Sequence, residues 1–321
     1  MEDFSSKRLA VIATGGTIAM APSSKERPSP VLSAEKLLQG IPLGAGKLSC
    51  YAPYNLGSED VTFSHWISLA AAAKEALASH DSVIVLHGTD TMSEAAFFLA
   101  ETLGNPDIVL TGSMRTSGQL GFDGRSNIQN AATLALLNLE LGVCVCMDSQ
   151  VLPAWSVTKE ETVRIGSFGP GQGARIGQVH DGQLRLASAP LEANWIGQLP
   201  QNIDSGKVGI VSLAADPSPH QIEAVLAASE AVILEALATG HIPQAVSGIL
   251  LEAAKSMPVV MTSRVARGPV EASHTYPGVW DRMRSQGIII EPLLDTYKAR
   301  VRLAVSLALG QDYQPFELRL P

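Results

Sequence analysis

Residues 83–91 of this chain read VIVLHGTDT, and this stretch decides the fold. A short apolar run rich in β-branched residues stops at Gly88, and the helical pattern of residues 91–103 begins almost at once. The stretch therefore predicts a strand, a tight turn and the start of a helix. In an open parallel sheet such turns gather at the carboxyl ends of the strands, where helix N-termini bind ligands. Thr89 and Asp90 thus lie where chemistry is expected, although either side chain could simply cap the helix.

A second unit of the same kind lies near the N-terminus. The apolar run from Leu9 to Ala13 predicts a buried strand, and the turn residues Thr14 to Thr17 (TGGT) follow it directly. The carboxyl ends of parallel strands meet at one edge of a sheet, so we expect the hydroxyl groups of Thr17 and Thr89 to share a crevice.

The sequence from residue 48 to residue 147 alternates apolar strand patterns with helical patterns. This order predicts βαβ units and a mostly parallel sheet. We expect helices to begin at Ser64 and Ser126, because a hydroxyl residue there precedes an apolar periodic run. Residues 176–186 then read as an antiparallel hairpin with an Asp-Gly turn, which we place at the edge of the sheet.

Two domains of unequal size are predicted. Residues 1–190 form a larger N-terminal α/β domain, residues 191–207 form a linker rich in turn formers, and residues 208–321 form a smaller C-terminal α/β domain. Four strand–helix units fit the C-terminal domain, and its closing helix is predicted to begin near Pro292.

Composition and charge exclude several classes of function. The 321 residues carry a net charge of -8 and are 46% hydrophobic, as in an ordinary globular protein. Because no Lys and Arg cluster is present, neither nucleic acid nor an anionic membrane surface is expected as the main partner. No apolar run approaches the length of a membrane span, and the apolar run before Thr14 is too short for the core of a signal peptide. We therefore expect a cytoplasmic protein.

No metal or cofactor site is expected. The cysteines Cys50, Cys144 and Cys146 lack the spacing of a zinc site, and the last two fit one face of a buried strand. Neither glycine-rich turn extends to a pattern that binds a dinucleotide or ATP, and a G-x-S-x-G elbow is absent. His87 is expected to be a hydrogen-bonded core residue rather than a ligand.

A catalytic threonine needs a proton acceptor within hydrogen-bond reach, because its hydroxyl group is a poor nucleophile by itself. Asp90 lies beside Thr89, and Lys159 follows a strand that is expected to lie close to residues 83–88. A lysine desolvated near a carboxylate serves as the base in variants of the serine triad. The alternative is that Lys159 forms surface ion pairs with the two glutamates that follow it.

Seven short motifs occur in one order over nearly the whole chain. They are Ala13 to Ala19 (ATGGTIA), Asn55 to Ser58 (NLGS), His87 to Met92 (HGTDTM), Thr111 to Arg115 (TGSMR), Asp123-Gly124 with Asn127, Val157 to Lys159 (VTK) and Ser263 to Val265 (SRV). In this order they resemble the bacterial L-asparaginase and glutaminase-asparaginase family.

The resemblance implies a reaction and its catalytic residues. Thr17 would attack the side-chain amide carbon of L-asparagine, or of a similar small amide amino acid such as L-glutamine. An acyl-enzyme and ammonia would form, and water would then release aspartate. Thr89, Asp90 and Lys159 would form a second group that assists proton transfer and positions the water.

The resemblance also implies residues that hold the substrate. Ser58 and Asp90 would hold its α-carboxylate and α-amino groups, and the carboxylate of Glu59 suits an α-ammonium group. Backbone N–H groups near Thr89 would form an oxyanion hole. The complete set of implied substrate-binding residues is Gly57, Ser58, Glu59, Gly88, Thr89, Asp90 and Ser113.

The family's fold and assembly are further expectations. The resemblance implies a larger N-domain with a mixed, mostly parallel sheet and a smaller flavodoxin-like C-domain. It also implies a homo-oligomer, a tetramer or a dimer, with active sites at the subunit interface.

The sequence departs from the family pattern at three places. The loop from Met20 to Leu32 lacks the tyrosine that activates the first threonine in the family, so Tyr276 or an ordered water is a candidate substitute. The alternative is that Tyr276 packs on the surface without a catalytic part. His241 stands where the family has an asparagine, and Glu271 is the candidate for the acidic residue given to a neighbouring subunit.

Two other functions remain open at this point. One is an amino-acid-binding or sensor protein that has lost efficient catalysis along with the tyrosine. The other is the tRNA-dependent amidotransferase subunit built on this fold, which the chain resembles less.

Overall fold

A computed structural model describes residues 4–20, 32–271 and 279–319 of the chain. The chain divides into two compact units, one of residues 1–190 and 195–199 and the other of residues 191–194 and 200–321. Residues 191–207, predicted as a linker, thus belong in part to each unit. Most of the loop without a tyrosine, residues 21–31, lies outside the described residues, as does Tyr276.

The larger unit contains one main sheet, in which eight strands of the described residues have the order β10-β9-β6-β5-β4-β3-β1-β2. A separate ribbon pairs β7 with β8. The strands are β1 (Arg8–Ala13), β2 (Lys47–Tyr51), β3 (Ser82–Leu86), β4 (Val109–Thr111), β5 (Cys144–Met147), β6 (Gln150–Pro153), β7 (Thr158–Lys159), β8 (Phe168–Gly169), β9 (Gly177–His180) and β10 (Gln183–Leu186).

The central part of this sheet is parallel, as the sequence predicts. Strand β1 pairs with β2 and β3, β3 with β4 and β4 with β5, all in parallel. Strands β6, β9 and β10 add antiparallel pairs at one edge, so the predicted edge hairpin is confirmed. All residues of β3 are buried, which fits a strand with both faces covered.

The helices of the larger unit cover this sheet. They are α1 (Ala34–Leu38), α2 (Phe63–Ser79), α3 (Met92–Leu103) and α4 (Gly124–Leu137). Side chains alternate along β1, and Leu9, Val11 and Ala13 join the core that includes Ile128 and Ala131 of α4. Cys144 and Cys146 lie in this core, as expected of small buried hydrophobic residues.

Two predicted helix starts in the larger unit are wrong by one and two residues. Helix α2 begins at Phe63 rather than Ser64, because the Thr62 backbone N–H donates to Nδ1 of His65 at 3.1 Å in a capping box. Helix α4 begins at Gly124 rather than Ser126, with Asp123 as its N-cap residue.

The smaller unit contains a parallel sheet with the strand order β12-β13-β14-β15. Its closing helix begins at Thr296 rather than near Pro292, because Asp295 caps it by accepting hydrogen bonds from two backbone N–H groups. The elements are β11 (Glu192–Ala193), β12 (Val208–Ser212), α5 (Pro219–Ala227), β13 (Ala231–Ala236), α6 (Gln244–Ala253), β14 (Val259–Ser263), α7 (Val279–Ser285), β15 (Ile288–Ile290), α8 (Thr296–Ala308) and β16 (Leu318–Arg319).

Candidate active site

The two strand–glycine–threonine units lie side by side. Ala13, the last residue of β1, is in register with Leu86, the last residue of β3. The backbone N–H and the hydroxyl group of Thr14 both donate to the Leu86 carbonyl, each at 3.0 Å. The TGGT turn and the HGTDT turn therefore leave the same edge of the sheet, as predicted.

Glycines allow these two turns to touch. A Cβ atom added at Gly16 would lie 2.2 Å from the Gly88 Cα, and one added at Gly88 would lie 2.6 Å from the Ser58 Oγ. Gly16 also has φ 76° and ψ -176°, a conformation that is essentially restricted to glycine. The neighbours of these glycines in sequence, Thr17 and Thr89, are thus brought to one place together with Ser58.

The Gly16→Ala variant is expected to unfold more easily and to lose most activity. An alanine there combines backbone strain with a clash against the Gly88 backbone, which together should lower the free energy of unfolding by about 3 kcal/mol or more. The control is Gly182→Ala in the β9–β10 turn, because Gly182 has φ +74° but no atom within 4 Å of its added Cβ.

That control should cost about 1 kcal/mol and leave activity unchanged, since only the positive φ is disfavoured. Chemical denaturation of both variants measures the difference. Equal destabilisation by the two substitutions would contradict the close contact at Gly16.

Lys159 connects the predicted proton-transfer group. Its Nζ atom donates to Oγ1 of Thr89 at 3.0 Å and to Oδ1 of Asp90 at 2.7 Å. Thr89 is buried, Lys159 is half-buried and Asp90 is exposed. The group therefore has one buried end and one end open to water, and Lys159 pairs with Asp90 rather than in the surface ion pairs considered for it.

The route by which Lys159 reaches Thr89 differs in part from the prediction. Strand β4 lies between β3 and β5, so the strands expected to lie close together are one strand apart. Lys159 itself lies on β7, which pairs with β8 in a separate ribbon, and Lys159 is opposite Phe168. The ribbon, rather than the end of β5, presents the lysine to the HGTDT turn.

Ser58 ties the preceding loop to the same turn. Its hydroxyl oxygen accepts from the Asp90 backbone N–H at 3.1 Å, and its carbonyl accepts from the Thr91 hydroxyl at 3.0 Å. The Ser58 hydroxyl hydrogen thus remains available to a ligand. Helix α3 has Thr91 at its N-cap position, so the alternative that Thr89 or Asp90 caps the helix is wrong.

Two other predicted substrate-binding residues, Glu59 and Ser113, differ in how far their side chains are free to contact a ligand. The exposed carboxylate of Glu59 folds back over Gly57, since a Cβ atom added at Gly57 would lie 2.6 Å from both of its oxygens. Ser113 is fully buried, and its hydroxyl group already donates to the Arg115 carbonyl at 2.7 Å. Only the lone pairs and backbone groups of Ser113 are left to contact a ligand.

A buried polar network behind the site escaped the sequence reasoning, although its residues were recognised as a motif. The Asp123 carboxylate accepts from the backbone N–H groups of Met114 and Arg115 and from the side-chain amide of Asn127. The same amide donates to the Gly112 carbonyl. The network fixes the loop that carries Ser113, and the D-G-x-x-N spacing at a helix start was the signal for it.

His87 is buried directly before the turn, as predicted. Its Nδ1 donates to the Gly88 carbonyl at 2.8 Å. Burial lowers the pKa of His87 to about 4, because the charged imidazolium loses its hydration, while the bond to Gly88 opposes the shift. The ring is therefore neutral at neutral pH.

This burial predicts a pH-dependent stability. Between the ordinary histidine pKa of about 6.5 and the lowered value, the unfolded chain binds a proton that the folded chain does not, so stability falls as pH falls. Unfolding free energies of wild type and His87→Leu at pH 7.5 and pH 5 test this. The wild type should lose about 2 kcal/mol more than the variant over that interval. Equal losses of unfolding free energy in wild type and His87→Leu would contradict a neutral buried imidazole.

Within the described residues there is neither a cluster of metal ligands nor a membrane-spanning helix. Nowhere in residues 4–20, 32–271 and 279–319 do three His, Cys, Asp or Glu side chains converge as a metal site would require. None of the helices in these ranges combines the length and apolar character needed to cross a bilayer.

In the smaller unit, the candidate residue His241 lies in a tight turn and the candidate residue Glu271 lies beside that turn. The His241 backbone N–H donates to the Leu237 carbonyl at 2.7 Å, and the Glu271 backbone N–H donates to the Thr239 carbonyl at 3.2 Å. Glu271 is exposed and His241 is half-buried. Their predicted part in a neighbouring subunit's site stays a prediction.

Known proteins resemble this chain in both sequence and structure. Residues 8–192 match the family "Asparaginase, N-terminal", and residues 207–318 match "Glutaminase/Asparaginase C-terminal domain". A "Probable L-asparaginase" from Deinococcus radiodurans is 33% identical over 312 residues, which cover 94% of each chain.

Solved structures agree with the sequence relatives. The thermostable L-asparaginase from Thermococcus kodakarensis superposes with a TM-score of 0.84 and 25% identity, covering 95% of this chain and 94% of that one. A probable cytoplasmic L-asparaginase from Campylobacter jejuni gives a TM-score of 0.79 and 28% identity, covering 94% of this chain and 95% of that one.

The fold, with its large mixed sheet and its separate parallel sheet, is that of a two-domain amidohydrolase. This chain belongs to the asparaginase family. The resemblance and the fold class predicted from the seven motifs are therefore confirmed.

Proposed function

We propose that this chain hydrolyses L-asparagine to L-aspartate and ammonia. The observation that carries the proposal is the Lys159 Nζ atom within hydrogen-bond distance of both Thr89 and Asp90. This group lies at the edge of the sheet where the TGGT turn brings Thr17, in a member of the asparaginase family. Nothing observed favours a binding or sensor protein without catalysis.

In the proposed reaction Thr17 is the nucleophile. Its Oγ attacks the side-chain amide carbon of asparagine, its proton passes to the departing nitrogen, and ammonia leaves an ester behind. Water then cleaves the ester, which releases aspartate and restores the hydroxyl group. Support for this role comes from the half-buried position of Thr17 beside the contact of Gly16 and Gly88.

Lys159, Thr89 and Asp90 would move protons for these steps. A lysine amine that has given up its proton accepts one from the Thr89 hydroxyl, and Asp90 stabilises the ammonium that results. The contacts of Lys159 with both partners support proton transfer within this group. The Thr89 backbone N–H would stabilise the oxyanion of the tetrahedral intermediate.

The substrate's α-groups would contact the loop before α2. The Ser58 hydroxyl hydrogen is free to donate to the α-carboxylate, and the exposed carboxylates of Glu59 and Asp90 attract the α-ammonium group. Gly57, Gly88 and Ser113 would line the same pocket with backbone groups. L-glutamine carries the same α-groups, so activity on it is part of the proposal.

Release of ammonia from a small set of amides tests the function. The purified protein should release ammonia from L-asparagine, and far more slowly from succinamic acid, which has the same amide but no α-amino group. The absence of ammonia from L-asparagine would contradict the proposed function. Equal rates on both amides would contradict the proposed recognition of the α-ammonium group.

A homo-oligomer is proposed for the active form, as a dimer or a tetramer. It rests on family membership, because the seven motifs and both matched regions extend over nearly the whole chain. Sedimentation velocity at the concentration of the activity assay measures the state. An active monomer there would contradict the proposal.

The cytoplasm is the proposed location. The structural neighbour from Campylobacter jejuni is named as cytoplasmic, which supports it, although one relative is named as periplasmic. Fractionation of the native host, followed by detection of the protein in each fraction, distinguishes the two compartments.

A further inference from the structure

The His87 side chain makes one hydrogen bond to the HGTDT turn, and its second ring nitrogen has no partner among the described residues. Its Nδ1 donates to the Gly88 carbonyl at 2.8 Å. Its Nε2 is buried and accepts no hydrogen bond within the described residues. Within the described residues, the one hydrogen bond of this buried ring is therefore the bond to the turn.

The bond to Gly88 determines the direction of the next N–H group. In a planar trans peptide the C=O and N–H bonds point in opposite directions. Because the Gly88 oxygen turns toward the buried imidazole, the Thr89 N–H turns away from it. Thr17 is half-buried and Asp90 is exposed, whereas the His87 ring is buried.

Gly88 is the residue at which this peptide could most easily rotate. Glycine adopts many backbone conformations, and here it is required because a Cβ atom would lie 2.6 Å from the Ser58 Oγ. The close contact that brings the turns together therefore leaves the Gly88–Thr89 peptide without the restraint of a side chain. A hydrogen bond from a buried, immobile donor supplies that restraint.

We propose that His87 is a positioning residue, whose Nδ1–H holds the Gly88–Thr89 peptide so that the Thr89 N–H faces the developing oxyanion. This inference rests on the proposed function and adds a residue to it. His87 does not exchange protons in this role, since burial lowers its pKa to about 4 and keeps the ring neutral at working pH. Its effect is on the transition state, so kcat should change more than KM.

Three variants separate this role from simple packing. Asparagine places an amide nitrogen near the position of Nδ1, glutamine places one near the position of Nε2, and leucine fills the space without any donor. His87→Gln and His87→Leu should lower kcat by about 10- to 100-fold with KM changed less than about threefold, because one oxyanion donor is misdirected rather than removed. His87→Asn should recover most of kcat.

The thermal stability of the variants distinguishes a positioning role of His87 from a role in packing alone. Asparagine leaves a cavity and leucine does not, so the thermal midpoint of His87→Asn should lie below that of His87→Leu. If His87 served only to pack, kcat would follow the thermal midpoint, and His87→Leu would be more active than His87→Asn. The positioning role predicts the reverse order for kcat. If His87→Leu fails to fold, the comparison of kcat between His87→Asn and His87→Gln tests the proposal without it.

A kcat for His87→Asn well above those of the glutamine and leucine variants supports the inference. Wild-type kcat in His87→Leu, or a glutamine variant equal to the asparagine variant, overturns it while leaving the proposed function intact. A wild-type protein that releases no ammonia from L-asparagine overturns both.

Discussion

Replacement of Thr17 by valine is expected to abolish asparagine hydrolysis. Valine keeps the shape of the side chain and removes the hydroxyl group, so the ester intermediate cannot form. Loss of a nucleophile typically lowers kcat by about 10⁴-fold or more, and binding of the substrate should survive because Thr17 is not required to hold it. Ammonia release by the purified variant is the measurement.

The matched control is Thr133→Val in helix α4. Thr133 is half-buried like Thr17 and lies in the same unit, away from the carboxyl ends of the strands. It should retain wild-type activity. Near-normal ammonia release by Thr17→Val would remove Thr17 from the mechanism, and equal losses in both variants would indicate damage to the fold.

Lys159→Met is expected to have the second-largest effect. Methionine keeps most of the length and the apolar stem of lysine but removes the amine that contacts Thr89 and Asp90. A lost acid–base partner lowers the rate by about 10² to 10⁴-fold, and Thr89→Val should fall in the same range. Because the three groups act together, the double variant should be little worse than either single variant.

Lys207→Met is the control for removing a lysine from an ion pair. Lys207 contacts Glu230 at 3.0 Å, and both side chains are largely exposed. Such an exposed, solvent-screened pair contributes little to stability and nothing to the proposed reaction. A Lys159→Met enzyme as active as Lys207→Met would exclude the lysine from proton transfer.

The features that depend on neighbouring residues were predictable from sequence. The β-branched residues before Gly88 predicted the strand that ends at Leu86. The Asp181-Gly182 turn predicted the edge hairpin. Helix starts were less accurate. At α2 a histidine, His65, takes the place that glutamate or glutamine usually has in a capping box, so the serine one residue after Phe63 was mistaken for the cap.

The parts of the site that depend on distant residues were accessible only through the resemblance or not at all. Lys159 reaches Thr89 because a short ribbon pairs it with Phe168, and no local pattern fixes that pairing. The bond from Thr91 to the Ser58 carbonyl joins residues 33 positions apart. That no described residue pairs with the His87 Nε2 is likewise a property of the packed core.

The most direct measurement is a side-by-side determination of ammonia and L-aspartate formed from L-asparagine by wild type and Thr17→Val. Hydrolysis at the proposed site predicts equal molar amounts of the two products from the wild type and none above background from the variant. Absence of both products from the wild type, or equal product formation by the variant, would contradict hydrolysis of L-asparagine by Thr17.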